Sequence, residues 1–183
     1  MEYLFDETLI STEIQDLLPS NLKLRPLAKD DFDKGIFSCL EQLSIIGDVS
    51  QQKFVERFEE LKKAYGYYII VIEDLDQEKI VGLGTLFVEM KFLRNFGKAG
   101  HIEDIVVHVS QRRMNLGKRI IEQLIHLGKE LGCYKIILNC NEKNIPFYEK
   151  CGLTLKDVQM TLYNEVRKED LGVENFAPPK TDQ

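Results

Sequence analysis

Two consecutive carboxylates, Glu103 and Asp104, interrupt an otherwise apolar run, HIEDIVV, that begins at His101. In a strand, neighbours point to opposite faces, so at least one of the pair meets a covered surface. A covered carboxylate needs a partner. That partner is either a nearby lysine, which makes a structural ion pair, or a substrate, which makes a binding or acid–base group. A few residues on, Gln111 to Ile136 holds six cations against Glu122 and Glu130, a local charge of +4 in a chain whose total is −6. Four of the cations, Arg112, Arg113, Lys118 and Arg119, crowd the start of a helical segment. Cations at a helix N-terminus oppose its dipole, at about 0.3–1 kcal/mol each. An anion seated on that terminus removes the conflict. A solvated basic face is the alternative.

These residues need elements to hold them. Hydrophobic spacing predicts an arm or short helix over residues 1–20, an edge strand over Asn21 to Leu27, and an amphipathic helix from Lys29 to Leu43 that Gly47 stops. A second helix runs from Ser50 to Gly66. The period then changes, and Tyr67 to Glu73 and Lys79 to Leu93 form an antiparallel hairpin. After the loop Asn95 to Gly100 comes a strand over His101 to Val109, then a long helix closing near Gly132. A strand over Tyr134 to Cys140, a short helix over Pro146 to Lys150 and a last strand from Leu153 to about Val166 complete the order. Residues 167–183 form a polar tail. The elements describe an α/β domain with a mixed sheet and one parallel crossover. Ligands of such sheets bind beyond the carboxyl ends of strands.

At 183 residues, 44% apolar and 30% charged, the chain makes one globular domain with no need of disulfide or metal staples. The longest aliphatic run, Ile69 to Ile72, is far short of the ~18 residues of a membrane span. The acidic total argues against nucleic acid as a partner. Cys39, Cys133, Cys140 and Cys151 have neither CxxC spacing nor a metal pattern with the three histidines, so they read as buried free thiols and no metal is expected. With an acidic N-terminus where a signal peptide is basic, this points to the cytosol. His101, His108 and His126 lack a Ser or Cys partner for nucleophilic catalysis, and Gly82 and Gly84 lack the setting of a dinucleotide fingerprint.

A strand, then RRMNLGK from Arg112 to Lys118, then a helix resembles the pyrophosphate-binding signature of the GNAT acetyltransferase superfamily. Asn115 stands where the first glycine is usual, and asparagine is the non-glycine residue best suited to a left-handed backbone. Together with GHIEDIVV and GCYKIILNCNEKNIPFYEKCG, the segment resembles the eukaryotic glucosamine 6-phosphate N-acetyltransferase family over roughly Leu22 to Val166. The resemblance implies a mostly antiparallel sheet, opened like a V between central strands, with helices on both faces. It implies acetyl-CoA in the opening and a homodimer whose two sites lie near the interface.

Position by position, the likeness implies that Glu103 and Asp104 help form the sugar and amine site. Lys91, Arg94, Tyr134 and Lys135 would hold the sugar and its phosphate, and Ser44 would replace a substrate-touching threonine. Ile105, Val106 and Val107 would offer main-chain groups to the pantetheine arm. Arg112, Arg113, Met114, Asn115, Leu116, Gly117 and Lys118 would hold the pyrophosphate, and Asn144, Phe147, Tyr148 and Lys150 would line the thioester end. By chemistry alone, Lys91 and Arg94 also read as surface charges and Tyr148 as core, although its hydroxyl can give a proton to a thiolate. Two positions depart from the family. Asn139 replaces a carboxylate that holds the attacking amine, and asparagine is no base near neutral pH. Tyr163 replaces an arginine that reaches the partner's substrate. Three readings follow: acetyl transfer to the 2-amino group of glucosamine 6-phosphate, a GNAT enzyme for another amine, or a non-catalytic acetyl-CoA-binding regulator.

Overall fold

The computed structural model describes residues 1–162. Five strands, β1 (Leu22–Pro26), β2 (Tyr67–Asp74), β3 (Lys79–Met90), β4 (Lys98–Val107) and β5 (Cys133–Ile137), lie side by side in that order. The first four pair antiparallel, and β4 and β5 are parallel, joined by the crossover helix α4 (Leu116–Glu130). Short helices α1 (Thr12–Gln15) and α2 (Ile36–Leu40), helix α3 (Gln51–Lys63) and, at the end, α5 (Ile145–Lys150) complete the set.

Each face of the sheet has its own core. Helix α4 buries Leu116, Ile120, Ile121, Leu124 and Leu127 against Ile70, Ile72, Leu86 and Ile102, as its 3.6-residue apolar spacing requires. Helices α2 and α3 cover the other face, where Ile36, Phe54 and Phe58 meet Val71, Leu83 and Val106. The N-terminal arm is docked: buried Gln123 of α4 accepts from the Ser11 amide and donates to the Leu9 carbonyl, both at 3.0 Å. Gln15 does the same for β1, through Leu24 and Leu22.

Three expectations are corrected. The helix over Lys29 to Leu43 is split, because Gly35 turns left-handed at φ +76° between a 3-10 turn (Asp31–Lys34) and α2. Only Cys39 is fully buried; Cys133 and Cys151 are half-buried and Cys140 is exposed, although all four thiols are free. Leu153 to Leu162 forms no strand within the chain, and the rest of that expected strand, Tyr163 and the tail lie outside the described residues.

Arg25 of β1 is completely buried and makes two ion pairs. Its guanidinium donates to both oxygens of Asp31, at 2.7 and 2.8 Å, and to Glu73 of β2 at 2.7 Å. Lys34 holds the other oxygen of Glu73 at 2.6 Å. Burial alone would raise the Glu73 pKa, but Lys34 and Arg25 outweigh it and hold the carboxyl below its ordinary value. We expect Asp31→Ala to lower unfolding free energy by about 3–5 kcal/mol, read from the urea midpoint, because Arg25 loses its bidentate partner. A folded-state pKa below the unfolded one contributes stability above the unfolded value and loses it as pH falls. Urea midpoints should therefore drop on acidification below about pH 4.5, and Glu73→Gln should flatten the drop.

Candidate active site

The site begins with two irregularities of β4. Its pairing with β3 shifts register between Leu83 and Thr85, so Gly84 faces the bulge formed by Asp104 and Ile105. Asp104 sits at φ +55°, a conformation seldom adopted by non-glycine residues. Gly84 is required here, since a Cβ would lie 2.5 Å from the Ile105 side chain and 2.7 Å from Ile120. The bulge reverses the strand's alternation. Ile102 before it and Ile105 and Val107 after it all pack on the α4 side, whereas Val106 packs with α2 and α3. Glu103 falls on the face opposite α4 and is exposed.

The second irregularity is a separation. Strands β4 and β5 pair from Lys98 with Cys133 to His101 with Ile137 and no further. Beyond that point the β5 side of β4, from Ile102 to Val107, has no strand beside it among the described residues, which opens the sheet as a V.

The chain leaves β4 for helix α4 at the mouth of the V. Gln111 anchors the connection to buried Asp74 at 3.3 Å. Asn115 is left-handed, at φ +60°, as its residue type predicted, and its side chain does not cap the helix. Among the described residues, none of the amides from Arg113 to Lys118 donates to a protein acceptor. Six N–H groups in the loop and first turn of a 15-residue helix are thus left without a partner beside its positive end, an arrangement suited to an anion. Lys118 and Arg119 pair with Glu122, so of the four cations at the helix start Arg112 and Arg113 are left without an ion pair among the described residues. The Leu116 side chain is in the core, leaving its amide as the group it can offer. Met114 is exposed.

Helix α5 lies against the same mouth. The Phe147 ring comes within 3.4 Å of where a Cβ on Gly117 would be. It meets Tyr148 edge to face at 5.0 Å, and Tyr148 packs on the α4 core. Burial raises the Tyr148 hydroxyl pKa, so it holds its proton through neutral pH. Asn144 precedes α5 and Lys150 ends it, exposed. The loop holding Ser44 lies beside the end of β4, because Gln42 accepts from the Val109 amide at 2.9 Å.

The basic residues expected around a sugar phosphate gather elsewhere, at the paired end of β4 and β5. Arg94 stands 6.0 Å from the Tyr134 ring centre and Lys135 5.9 Å. Arg94, Asn95 and Phe96 are three successive left-handed residues in the turn between β3 and β4. Lys91 lies 2.6 Å from Glu89, which also accepts from His101 at 3.0 Å; both hold the Glu89 pKa down. Sequence reasoning missed Glu89. The available signal was the period-2 spacing of Phe87 and Glu89 on β3 beside His101 and Glu103 on β4. Lys135 pairs opposite Ala99, four residues before Glu103 or about 13 Å along the strand. Asn139 is exposed just past the last β4–β5 pair. Among the described residues no His, Cys, Asp and Glu cluster could hold a metal, and no helix is long and apolar enough to cross a membrane.

Residues 30–153 match the model of the acetyltransferase (GNAT) family. The chain is 50% identical over 151 residues to glucosamine 6-phosphate N-acetyltransferase 1 of Dictyostelium discoideum, covering 82% of this chain and 96% of that protein. The crystal structure of glucosamine-6-phosphate N-acetyltransferase from Arabidopsis thaliana superposes with a TM-score of 0.76 at 45% identity, over 78% of this chain and 97% of that one. An acetyltransferase structure from Trypanosoma brucei gives a TM-score of 0.74 at 34% identity, over 78% of this chain and 99% of the other. In sequence over most of its length and in fold, the chain belongs to the acetyltransferase (GNAT) family and, within it, to the glucosamine 6-phosphate N-acetyltransferases.

Proposed function

We propose that this chain transfers the acetyl group of acetyl-CoA to the 2-amino group of D-glucosamine 6-phosphate, giving N-acetylglucosamine 6-phosphate for UDP-N-acetylglucosamine synthesis. The observation that carries the reading is the V beside six undonated amides at one helix start. The amides of Arg113 to Lys118, with Arg112 and Arg113, hold the pyrophosphate. Ile105 to Val107 offer main-chain groups to the pantetheine arm, and Asn144, Phe147 and Lys150 line the thioester end. The amine attacks directly, without an acyl-enzyme. Main-chain N–H groups freed where β4 parts from β5, near Val106, stabilise the oxyanion. Tyr148 protonates the departing sulfur.

Glu103, Asp104, Asn139 and Ser44 surround the sugar and its amine, and Lys91, Arg94, Tyr134 and Lys135 serve its phosphate. Those four lie at the closed end of the V, which suits a homodimer in which each chain completes its partner's site. Apolar side chains support the dimer: Phe92, Leu93 and Phe96 on the β3–β4 turn and Val158, Met160 and Leu162 on the terminal segment are all at least 72% exposed. Free thiols fit a cytosolic location. The acetyltransferase domain reads as residues 21–166, between an N-terminal arm and a C-terminal tail.

Thiol release from acetyl-CoA tests the reading. Glucosamine 6-phosphate should be turned over, with kcat/KM at least about 100-fold above unphosphorylated glucosamine, the loss of two or more phosphate-binding cations. Binding of acetyl-CoA without turnover of any amine would instead support the regulatory reading. In Gly117→Val the added methyls meet the Phe147 ring and the amide cradle, so the acetyl-CoA Kd should rise about tenfold or more in calorimetry, about 1.4 kcal/mol. Light scattering after gel filtration should return a dimer of about 42 kDa, twice the 21.2 kDa chain. Val158→Glu with Met160→Glu should give monomers, and a monomeric but fully active wild type would rule the shared site out.

A further inference from the structure

We propose that Glu103 is the general base that takes the proton from the substrate's ammonium group, in place of the carboxylate that Asn139 lacks. The inference rests on the acetyl-transfer reading and deepens it.

Strand register sets the two residues at the same level on the two lips of the V. Each β4–β5 pair beyond the shift at Lys98 has the same offset, Ala99 with Lys135, Gly100 with Ile136 and His101 with Ile137. Carried past the separation, that offset sets Glu103 opposite Asn139, the first pair beyond the mouth with the same facing as His101 and Ile137. The alternation reversal at Asp104 then keeps Glu103 on the acceptor side, while Ile105 and Val107 turn to the α4 side. Asp104 itself is withdrawn from strand alternation by its left-handed backbone.

The carboxyl is available for the task. Among the described residues Glu103 makes no ion pair, unlike Glu73, Glu89 and Glu122. Its cross-strand neighbour on β3 is Thr85, which carries no charge. The titratable groups beside it are Asp104 and, two residues back on its own face, His101, which is hydrogen-bonded to Glu89 and through it to Lys91. Although its side chain reaches solvent, the loss of part of its hydration and the Asp104 charge raise its proton affinity, with His101 opposing. A carboxylate of raised pKa is a better base for an ammonium.

The step balances. Glu103 takes one proton from the ammonium group and passes it to water. The nitrogen lone pair forms the C–N bond as the C–S bond breaks. Tyr148 gives its proton to sulfur and regains one from the attacking nitrogen, so the products are the amide, the free thiol and one proton.

Rates with acetyl-CoA and glucosamine 6-phosphate between pH 5 and 9 test the proposal, with folding checked by circular dichroism. Glu103→Gln should lower kcat by about 100-fold or more with the acetyl-CoA Kd unchanged, and the rising acid limb of the wild-type profile should vanish. Adding Asn139→Asp to Glu103→Gln should restore about tenfold or more, by placing a carboxylate on the opposite lip. Asn139→Asp alone asks whether a base is already present. A gain of tenfold from that single change would show that the wild type lacks a base and would overturn the proposal, even if Glu103→Gln failed to fold. A Glu103→Gln variant that raises KM, keeps kcat and keeps the acid limb would make Glu103 a binding group only. A wild type inactive on the phosphorylated sugar but active on another amine refutes the substrate reading, and the same three variants assayed on that amine then decide the base. A wild type inactive on every amine refutes both.

Discussion

Strand β4 bonds along its length to β3 but to β5 over only a few residues, and the rest of the site depends on that unequal sharing. A parallel pair that continued to Val107 would fill the V with strand and leave no exposed main chain beside the helix start. The separation is tolerable because the backbone groups it frees sit at the mouth of an opening. There, solvent or a ligand meets their hydrogen-bonding needs. The bulge helps to end the pairing cleanly, and Gly84 permits it, since Ile105 and Ile120 occupy the space of its side chain.

Remote parts of the molecule hold this arrangement still. The Arg25 pairs with Asp31 and Glu73 tie β1 to β2 and to the turn before α2, on the far side of the sheet from the V. Gln123 fastens the N-terminal arm to the middle of α4, whose first turn forms the cradle. Neither interaction touches the site, yet a helix free to slide along its own axis would carry six amides away from one another's focus. Gly128 contributes in the same sense, for a Cβ there would lie 2.6 Å from Ile136, so α4 rests close on β5.

Much of this was legible in the residues themselves. The apolar periods of β2, β3 and α4, the proline-started α5 and the left-handed fitness of Asn115 are local properties, and local properties show in a sequence. The twinned carboxylates and the +4 segment marked both lips of the site. What could not be read depends on pairing at a distance. A bulge at Asp104 leaves no trace when the left-handed residue is not glycine. The pairing of Lys118 and Arg119 with Glu122 lay within about one helix turn and was readable, but Glu89, two residues from Lys91, meets His101 only once β3 and β4 are set in register. The expected last strand failed for a similar reason, since its apolar residues find no partner within the described chain.

The reversal at Asp104 divides one strand between two masters. In the function proposed above, Glu103 addresses the acceptor and the main chain from Ile105 onward the acetyl donor, with a single bulged position between them. Changes on the acceptor side, such as the asparagine at 139, can therefore accumulate while the donor side stays intact. A scaffold of this kind lets a lineage explore new amines without relearning how to hold its coenzyme.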